Sequence, residues 1–283
     1  MDGPTALTEA IRELRDRGGT ALAALFAAVG VASLVVRDSL LALITERQAV
    51  VDSVTAFYTD LGVQQSQLPA LAELPTPLAV DLPYGVAVVS LLVVALLAEY
   101  GSILTLRIVA GEAPRRAATR RIGRTLVFGF LAGTAVRALF VVGLTAFVLP
   151  GIFVGVSLLF VHASIAIDDA GPLEAFGRSW ALTAGRRFEV VSVGLMLVAL
   201  YATPRAFAPL IPGTAGVVVM GATSGLAALL SAGVVGRTYL ALRDAGDESG
   251  DAAVSGGSDA STDDADEDPY DAPLGPDDIP EPE

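Results

Sequence analysis

The chain has 283 residues, of which 53% are hydrophobic, and a mean hydropathy of +0.62. It is more apolar than a soluble globular domain of this length, so the composition predicts a membrane protein. The net charge of −13 belongs mostly to the last forty residues, because 244–283 holds fifteen acidic residues and no basic one.

Six apolar runs are long enough, or nearly so, to cross a hydrocarbon core about 30 Å thick as helices. They cover residues 20–36, 84–106, 125–149, 153–167, 188–208 and 214–239. Arg37 and Asp38 close the first run, and Pro150-Gly151 is a turn signal that joins the third and fourth as a hairpin. We therefore predict an all-α integral membrane bundle of six transmembrane helices in residues 1–243. Pro204 leaves open whether the fifth span crosses fully.

The segment between the first two spans, 38–83, is the one sizeable piece predicted outside the cytoplasm. Its first half has apolar residues near helical spacing, and its second half is interrupted by prolines. This pattern predicts a helix that lies on the outer surface or extends the first span.

Arginines near the ends of the spans set the predicted orientation. Fourteen of the eighteen lie in alternate segments that include both termini, three lie in the opposite segments, and Arg137 lies inside a span. Because arginine is enriched on the cytoplasmic side, we predict a multi-pass protein of the cell membrane with both termini in the cytoplasm. One loop holds a basic cluster that is expected to contact anionic lipid headgroups rather than nucleic acid. The cluster consists of Arg115, Arg116, Arg120 and Arg121.

Charged residues inside spans are costly, and they mark candidate functional positions. Arg137 lies about 18 Å and Glu99 about 12 Å from the predicted cytoplasmic ends of their spans, at 1.5 Å per residue. Neighbouring antiparallel spans can bring these two side chains together, and His162 can join them or bond to a backbone carbonyl. A buried ion pair that fixes helix register is the favoured interpretation. A proton- or substrate-coupled pathway is the alternative.

The stretch DDAGPLEAFGRSWALTAGRR, residues 168–187, follows the fourth span. Gly171 and Pro172 supply a turn and the start of a helix. Apolar residues then recur on one face, and small residues form another edge: Leu173, Phe176 and Trp180, against Ala175 and Ser179. The pattern predicts an amphipathic helix that lies along the cytoplasmic membrane surface between the fourth and fifth spans.

Residues 148–191 resemble the signature region of the membrane domain attached to some glycerophosphoryl diester phosphodiesterases, and of its stand-alone relatives in bacteria and haloarchaea. The pattern is carried here by Pro150, Gly151, Asp168 or Asp169, Gly171, Pro172, Ala175, Ser179 and Gly185. The resemblance implies a multi-span membrane domain. It does not imply hydrolysis of glycerophosphodiesters, because His162 is the only histidine and the catalytic domain is missing.

The acidic segment 244–283 has one aromatic residue and few branched apolar residues, so it is predicted to be a disordered cytoplasmic tail. Solvation is favoured over docking to a basic partner as its role. All basic residues of the chain are arginine, and together with the acidic tail this suggests a salt-adapted organism.

The chain has no cysteine and one histidine, and its carboxylates outside the tail do not cluster with ligand spacing. We therefore predict no metal site, no cofactor and no catalytic residues. The favoured function is that of a non-enzymatic structural or accessory membrane component that interacts with lipids or partner proteins, and a homo-oligomer is left open. The alternative is a small transporter or permease that uses Glu99 and Arg137.

Overall fold

The computed structural model describes residues 3–60 and 75–256, and all regular structure in those ranges is helical. The helices are α1 (Gly3–Asp16), α2 (Gly19–Thr45), α3 (Gln48–Asp60), α4 (Tyr84–Val109), α5 (Pro114–Thr119), α6 (Ile122–Ala146), α7 (Val148–Ser157), α8 (Val161–Asp168), α9 (Pro172–Thr183), α10 (Arg187–Phe207) and α11 (Gly213–Gly256). Six segments are long and apolar enough to cross a membrane, one for each predicted span. The predicted all-α class is confirmed.

The chain divides into two compact units, Met1–Arg243 and Asp244–Glu283. The first contains every predicted span. In the second, residues 244–256 are helical, which extends regular structure past the predicted start of the tail. The rest of the predicted tail, 257–283, lies outside the described residues.

The first span continues beyond the charged residues that were expected to close it. Helix α2 runs to Thr45, and the side chains of Asp38 and Ser39 are fully buried against the segment that leads into α4. The Leu78 amide donates to Asp38 Oδ2 at 3.2 Å, and the Val80 amide donates to Ser39 Oγ at 2.9 Å. Because both polar side chains are satisfied there, Asp38 does not end the helix. The predicted helix of this segment is divided: its first residues extend the first span to Thr45, and Gln48–Asp60 form the separate helix α3.

The turn between the third and fourth spans lies at Phe147 and not at Pro150-Gly151. Phe147 has extended backbone angles, whereas Pro150 and Gly151 belong to the first turns of α7, where proline has no intrahelical amide to lose. The hairpin still requires a glycine at this position, because a Cβ on Gly151 would lie 2.5 Å from the Leu144 amide nitrogen. The two helices therefore pack backbone to backbone at this point.

The fourth span is interrupted. Helix α7 ends at Ser157, residues 158–160 form turns, and α8 begins at Val161. The fifth span, in contrast, continues past its proline: Pro204 lies inside the last turn of α10, and a 3-10 turn, Ala208–Leu210, follows directly. The interruption thus lies in the fourth span, where no proline marks it, and α10 ends three residues after Pro204.

Close helix packing elsewhere depends on three glycines. A Cβ on Gly30 of α2 would overlap the Gly221 carbonyl oxygen of α11, and a Cβ on Gly225 would overlap the Phe26 carbonyl oxygen. The small-residue spacing of the last span thus brings α11 against α2.

The N-terminal helix α1 packs on the bundle, which the sequence reasoning did not anticipate. Its buried residues recur every three or four positions, at Gly3, Ala6, Ala10 and Leu14. Glu9 on the adjoining face accepts hydrogen bonds from Arg237 of α11, with Nε at 3.0 Å. Burial of one face and this ion pair hold α1 against the spans.

Candidate functional site

Glu99 and His162 form a buried pair between α4 and α8. His162 Nε2 lies 2.9 Å from Glu99 Oε1 and 3.1 Å from Oε2. The Glu99 side chain is 6% exposed and the histidine 26% exposed. A carboxylate inside a span is costly without such a partner, so the histidine makes the position of Glu99 tolerable.

Two glycines of α6 make room for this pair. A Cβ on Gly129 would overlap Glu99 Oε1, and a Cβ on Gly133 would lie 3.1 Å from His162 Nε2. Small residues at this spacing often allow helix backbones to approach closely. On α6 the space beside the two glycines is occupied by two polar side chains.

The partner predicted for Glu99 is wrong. Arg137 is exposed on α6, and it forms no hydrogen bond or ion pair with any residue in the described ranges. On α6, Gly133 lies against the His162 ring, four residues before Arg137. Of the three intramembrane candidates, Glu99 and His162 therefore form a buried pair, whereas Arg137 is exposed.

A second polar cluster surrounds the acidic pair at the end of α8. We call it the Asp168–Asp169 network; it comprises four arginines, four carboxylates and a tyrosine: Arg107, Arg120, Arg178, Arg243, Glu112, Asp168, Asp169, Glu174 and Tyr239. Its charges balance, and every one of its arginines contacts a carboxylate. The network joins α4, α5, α8, α9 and α11.

Arg107 is the innermost member, with a side chain that is 0% exposed. It donates to the Ala166 carbonyl at 2.8 Å, to Thr125 Oγ1 at 3.0 Å and to Asp169 Oδ1 at 3.3 Å. It also donates to two carbonyls around α5, those of Ala117 at 3.0 Å and Arg120 at 2.7 Å. One guanidinium thus ties the end of α4 to the following loop and to α8.

Arg120 belongs to the same network and is not available to lipid in the way the sequence predicted. Its guanidinium lies 3.0 Å from Glu112 and 3.8 Å from Asp169, and it donates to the Ile167 carbonyl at 2.9 Å. The other members of the predicted basic cluster, Arg115, Arg116 and Arg121, are exposed. Three of the four arginines thus remain candidates for headgroup contact.

Asp168 is the second centre of the network. It accepts hydrogen bonds from Arg178 at 2.5 Å, from Arg243 at 3.2 Å and from the Tyr239 hydroxyl. Contact with Tyr239, followed by that with Asp168, raises the pKa of Arg178, although burial opposes this. Asp169 follows with a left-handed backbone, φ +54°, which turns the chain from α8 towards α9.

Helix α9 forms where the sequence predicted it and packs through its small residues. Gly171 caps the helix through Glu174, whose Oε2 accepts its amide at 3.3 Å, and Pro172 begins it. Ala175 and Ser179 are fully buried, whereas Leu173 and Trp180 are exposed. Gly185, with φ +80°, then turns the chain into α10. The small edge thus faces the protein, and of the predicted apolar stripe Leu173 and Trp180 face outwards, whereas Phe176 packs partly buried against the core.

Ser179 hydrogen-bonds to backbone groups at the interruption of the fourth span. Its hydroxyl accepts the Phe160 amide at 3.2 Å and donates to the Ser157 carbonyl at 2.8 Å. Backbone groups in a broken membrane helix need such partners, because lipid offers none. Trp180, next to it, stands edge-on to Phe153 of α7 with ring centroids 5.4 Å apart.

Asp168, Asp169 and Ser179 of the sequence pattern thus contact other helices, and Gly185 forms a turn. The buried arginine was missed because Arg107 lies at the end of a span, where it resembles any topology-setting arginine. Two consecutive acids at the end of an apolar run, opposite an arginine-rich loop, were the available signal.

The fold and these contacts define a polytopic helical membrane protein with a buried carboxylate–histidine pair and a charge-balanced network at the ends of several helices. Among the residues that the structure describes, no group of three or more His, Cys, Asp or Glu side chains is arranged to hold a metal ion. No family model, curated protein or solved structure matches the chain.

Proposed function

We propose that the protein is a non-enzymatic structural or accessory component of the cell membrane, with both termini in the cytoplasm. The observation that carries this proposal is the Asp168–Asp169 network. Its arginines and carboxylates are directed at each other and at backbone carbonyls, an arrangement that fixes helix positions and leaves little charge for a substrate.

The exposed arginines of the α4–α6 connection support a contact with anionic lipid headgroups. Arg115, Arg116 and Arg121 are exposed and lie close in sequence to Arg120 of the Asp168–Asp169 network, but they are not members of that network. The outward stripe of α9 with Leu173 and Trp180 supports an interfacial position for that helix. The resemblance to the membrane domain of phosphodiesterases stays a prediction.

Single cysteines test this function, because the chain has none of its own. Ser102→Cys and Ser157→Cys report on the interior near the Glu99–His162 pair, and Ala113→Cys and Ala79→Cys report on two exposed connections. Each variant is exposed to a membrane-impermeant maleimide from either side. We expect Ala113→Cys to react from the cytoplasm, Ala79→Cys from outside, and the interior positions from neither side.

A second candidate function, a small proton-linked transporter, is favoured by the Glu99–His162 pair. The pair can carry a proton, and it lies beside the interruption of the fourth span. Interior cysteines that react about as fast as the exposed controls would favour this function over the structural one. Proton flux into proteoliposomes that is lost in Glu99→Gln would establish it.

A further inference from the structure

Arg187, the first residue of α10, does not belong to the Asp168–Asp169 network and lies against aromatic rings instead. Its guanidinium carbon is 4.5 Å from the centre of the Phe153 ring of α7 and 5.7 Å from that of the Trp180 ring of α9. The two rings are 5.4 Å apart and stand edge to face at 72°. Three helices therefore meet at this guanidinium, and two rings hold it in place.

The charge of Arg187 is not neutralised by any acid in the part of the chain that the structure describes. It forms no ion pair there, not even with Glu189 two residues later, and its buried Nε has no hydrogen-bond acceptor. Aromatic faces attract a cation, but they do not cancel its charge. Because a guanidinium binds carboxylate and phosphate groups more strongly than neutral acceptors, the free charge favours an anion at this position.

The side chains around Arg187 decide what kind of anion fits. Trp180 is 46% exposed, and Phe188, the next residue of α10, is 93% exposed. Phe153 and Leu173 are exposed as well. Large apolar side chains that a membrane protein leaves uncovered are in contact with hydrocarbon. An anion that pairs with Arg187 and also covers the Trp180 ring must therefore carry an apolar body, which favours a lipid over an acidic peptide or a free phosphate ion.

The position of Arg187 along the chain agrees with the level of lipid headgroups. It is the first residue of the fifth apolar segment, Arg187–Leu210. Arginine and tryptophan at the end of a span are typical of the interface between headgroups and hydrocarbon. Under the proposed orientation, this end of the span lies at the cytoplasmic leaflet.

We propose that an anionic phospholipid of the cytoplasmic leaflet binds at this point, with its phosphate on the Arg187 guanidinium and an acyl chain against the exposed Trp180 ring. The proposal deepens the accessory function by giving lipid a defined site, and it rests on that function only in taking bilayer lipid as the ligand. Arg115, Arg116 and Arg121 belong to another connection, so this site is separate from their contact with headgroups.

Trp180 is the only tryptophan of the chain, so its fluorescence reports on the site without a label. The protein is placed in nanodiscs of phosphatidylcholine with a fixed share of phosphatidylglycerol, and bromine, which quenches tryptophan at short range, is carried on the acyl chains of one lipid or the other. One arginine near an anionic headgroup contributes about a factor of five, so we expect a preference for the anionic lipid of about fivefold. Arg187→Gln should remove this preference.

Two variants and one condition complete the test. Arg187→Lys keeps the charge and should keep most of the preference, which separates binding from misfolding. Arg12→Gln removes an exposed charge of α1 and should change nothing. Inorganic phosphate should not reduce quenching. Equal quenching by both lipids, an unchanged preference in Arg187→Gln, an equal effect of Arg12→Gln, or displacement by phosphate would overturn the proposal. None of these results depends on the labelling of Ser102→Cys or Ser157→Cys, which tests the accessory function.

Discussion

Replacing Arg107 by alanine is expected to destabilise the bundle more than any other single arginine substitution. The change removes a fully buried guanidinium and leaves the Ala117 and Arg120 carbonyls without this donor, while the Ala166 carbonyl keeps only its 3.4 Å hydrogen bond from Arg120. Each orphaned buried acceptor costs about 1–3 kcal/mol, and loss of one partner of a buried ion pair costs about 3–5 kcal/mol in total. Taking about 2–4 °C for each kcal/mol, we expect the melting temperature to fall by about 10 °C.

Thermal unfolding in detergent, followed by size-exclusion of a fluorescent fusion, measures this change. Arg107→Lys separates charge from geometry, because an ammonium keeps the charge but cannot span five acceptors, and it should lose about half as much. Arg115→Ala is the matched control, since Arg115 is exposed in the same connection. If Arg107→Ala melts within about 2 °C of the parent, the network does not hold these elements together, and the structural function loses its main support.

Two further predictions concern the pair and the interrupted span. Gly129→Ala should lower the free energy of unfolding by about 1–3 kcal/mol, because the new Cβ overlaps Glu99. Gly123→Ala of the same helix, with open space around it, should be neutral or stabilising. Adding Glu99→Ala to Gly129→Ala should recover most of the loss, and failure to recover it would contradict the placement of Glu99 against Gly129. Ser179→Ala should lower the melting temperature by several degrees, because it leaves two backbone groups at the interruption of the fourth span without a partner. Ser192→Ala, at an exposed hydroxyl, should not lower it. Equal effects of the two substitutions would show that Ser179 does not stabilise the interruption.

The sequence predicted the segments that cross a membrane because this property is local. An apolar run of sufficient length needs a helix and a bilayer whatever its neighbours are. The same holds for the start of α9, where Gly171 and Pro172 carry the turn and the cap. The predicted ends of helices were less accurate. Asp38 does not end α2, because its carboxylate is paired with Arg37 and with the Leu78 amide, which lies 40 positions further along.

The candidate site depended on information that the sequence does not contain. Depth along a span can be counted from residue numbers, so Glu99 and Arg137 both emerged as intramembrane charges. Which of them meet depends on how each helix is rotated about its axis, and packing of α4, α6 and α8 decides this rotation. It turns His162 towards Glu99 and leaves Arg137 exposed.

What the sequence determined by itself is the class of protein: six apolar helices, an uneven distribution of arginine and an acidic end. Tertiary structure decided what each polar residue does. Arg107 and Arg115 are equivalent in a count of basic residues, but the buried side chain of Arg107 donates five hydrogen bonds, whereas Arg115 is exposed. The reason is physical, because hydropathy sums over residues of one helix, whereas a hydrogen bond between helices requires two groups distant in sequence to meet within about 3 Å.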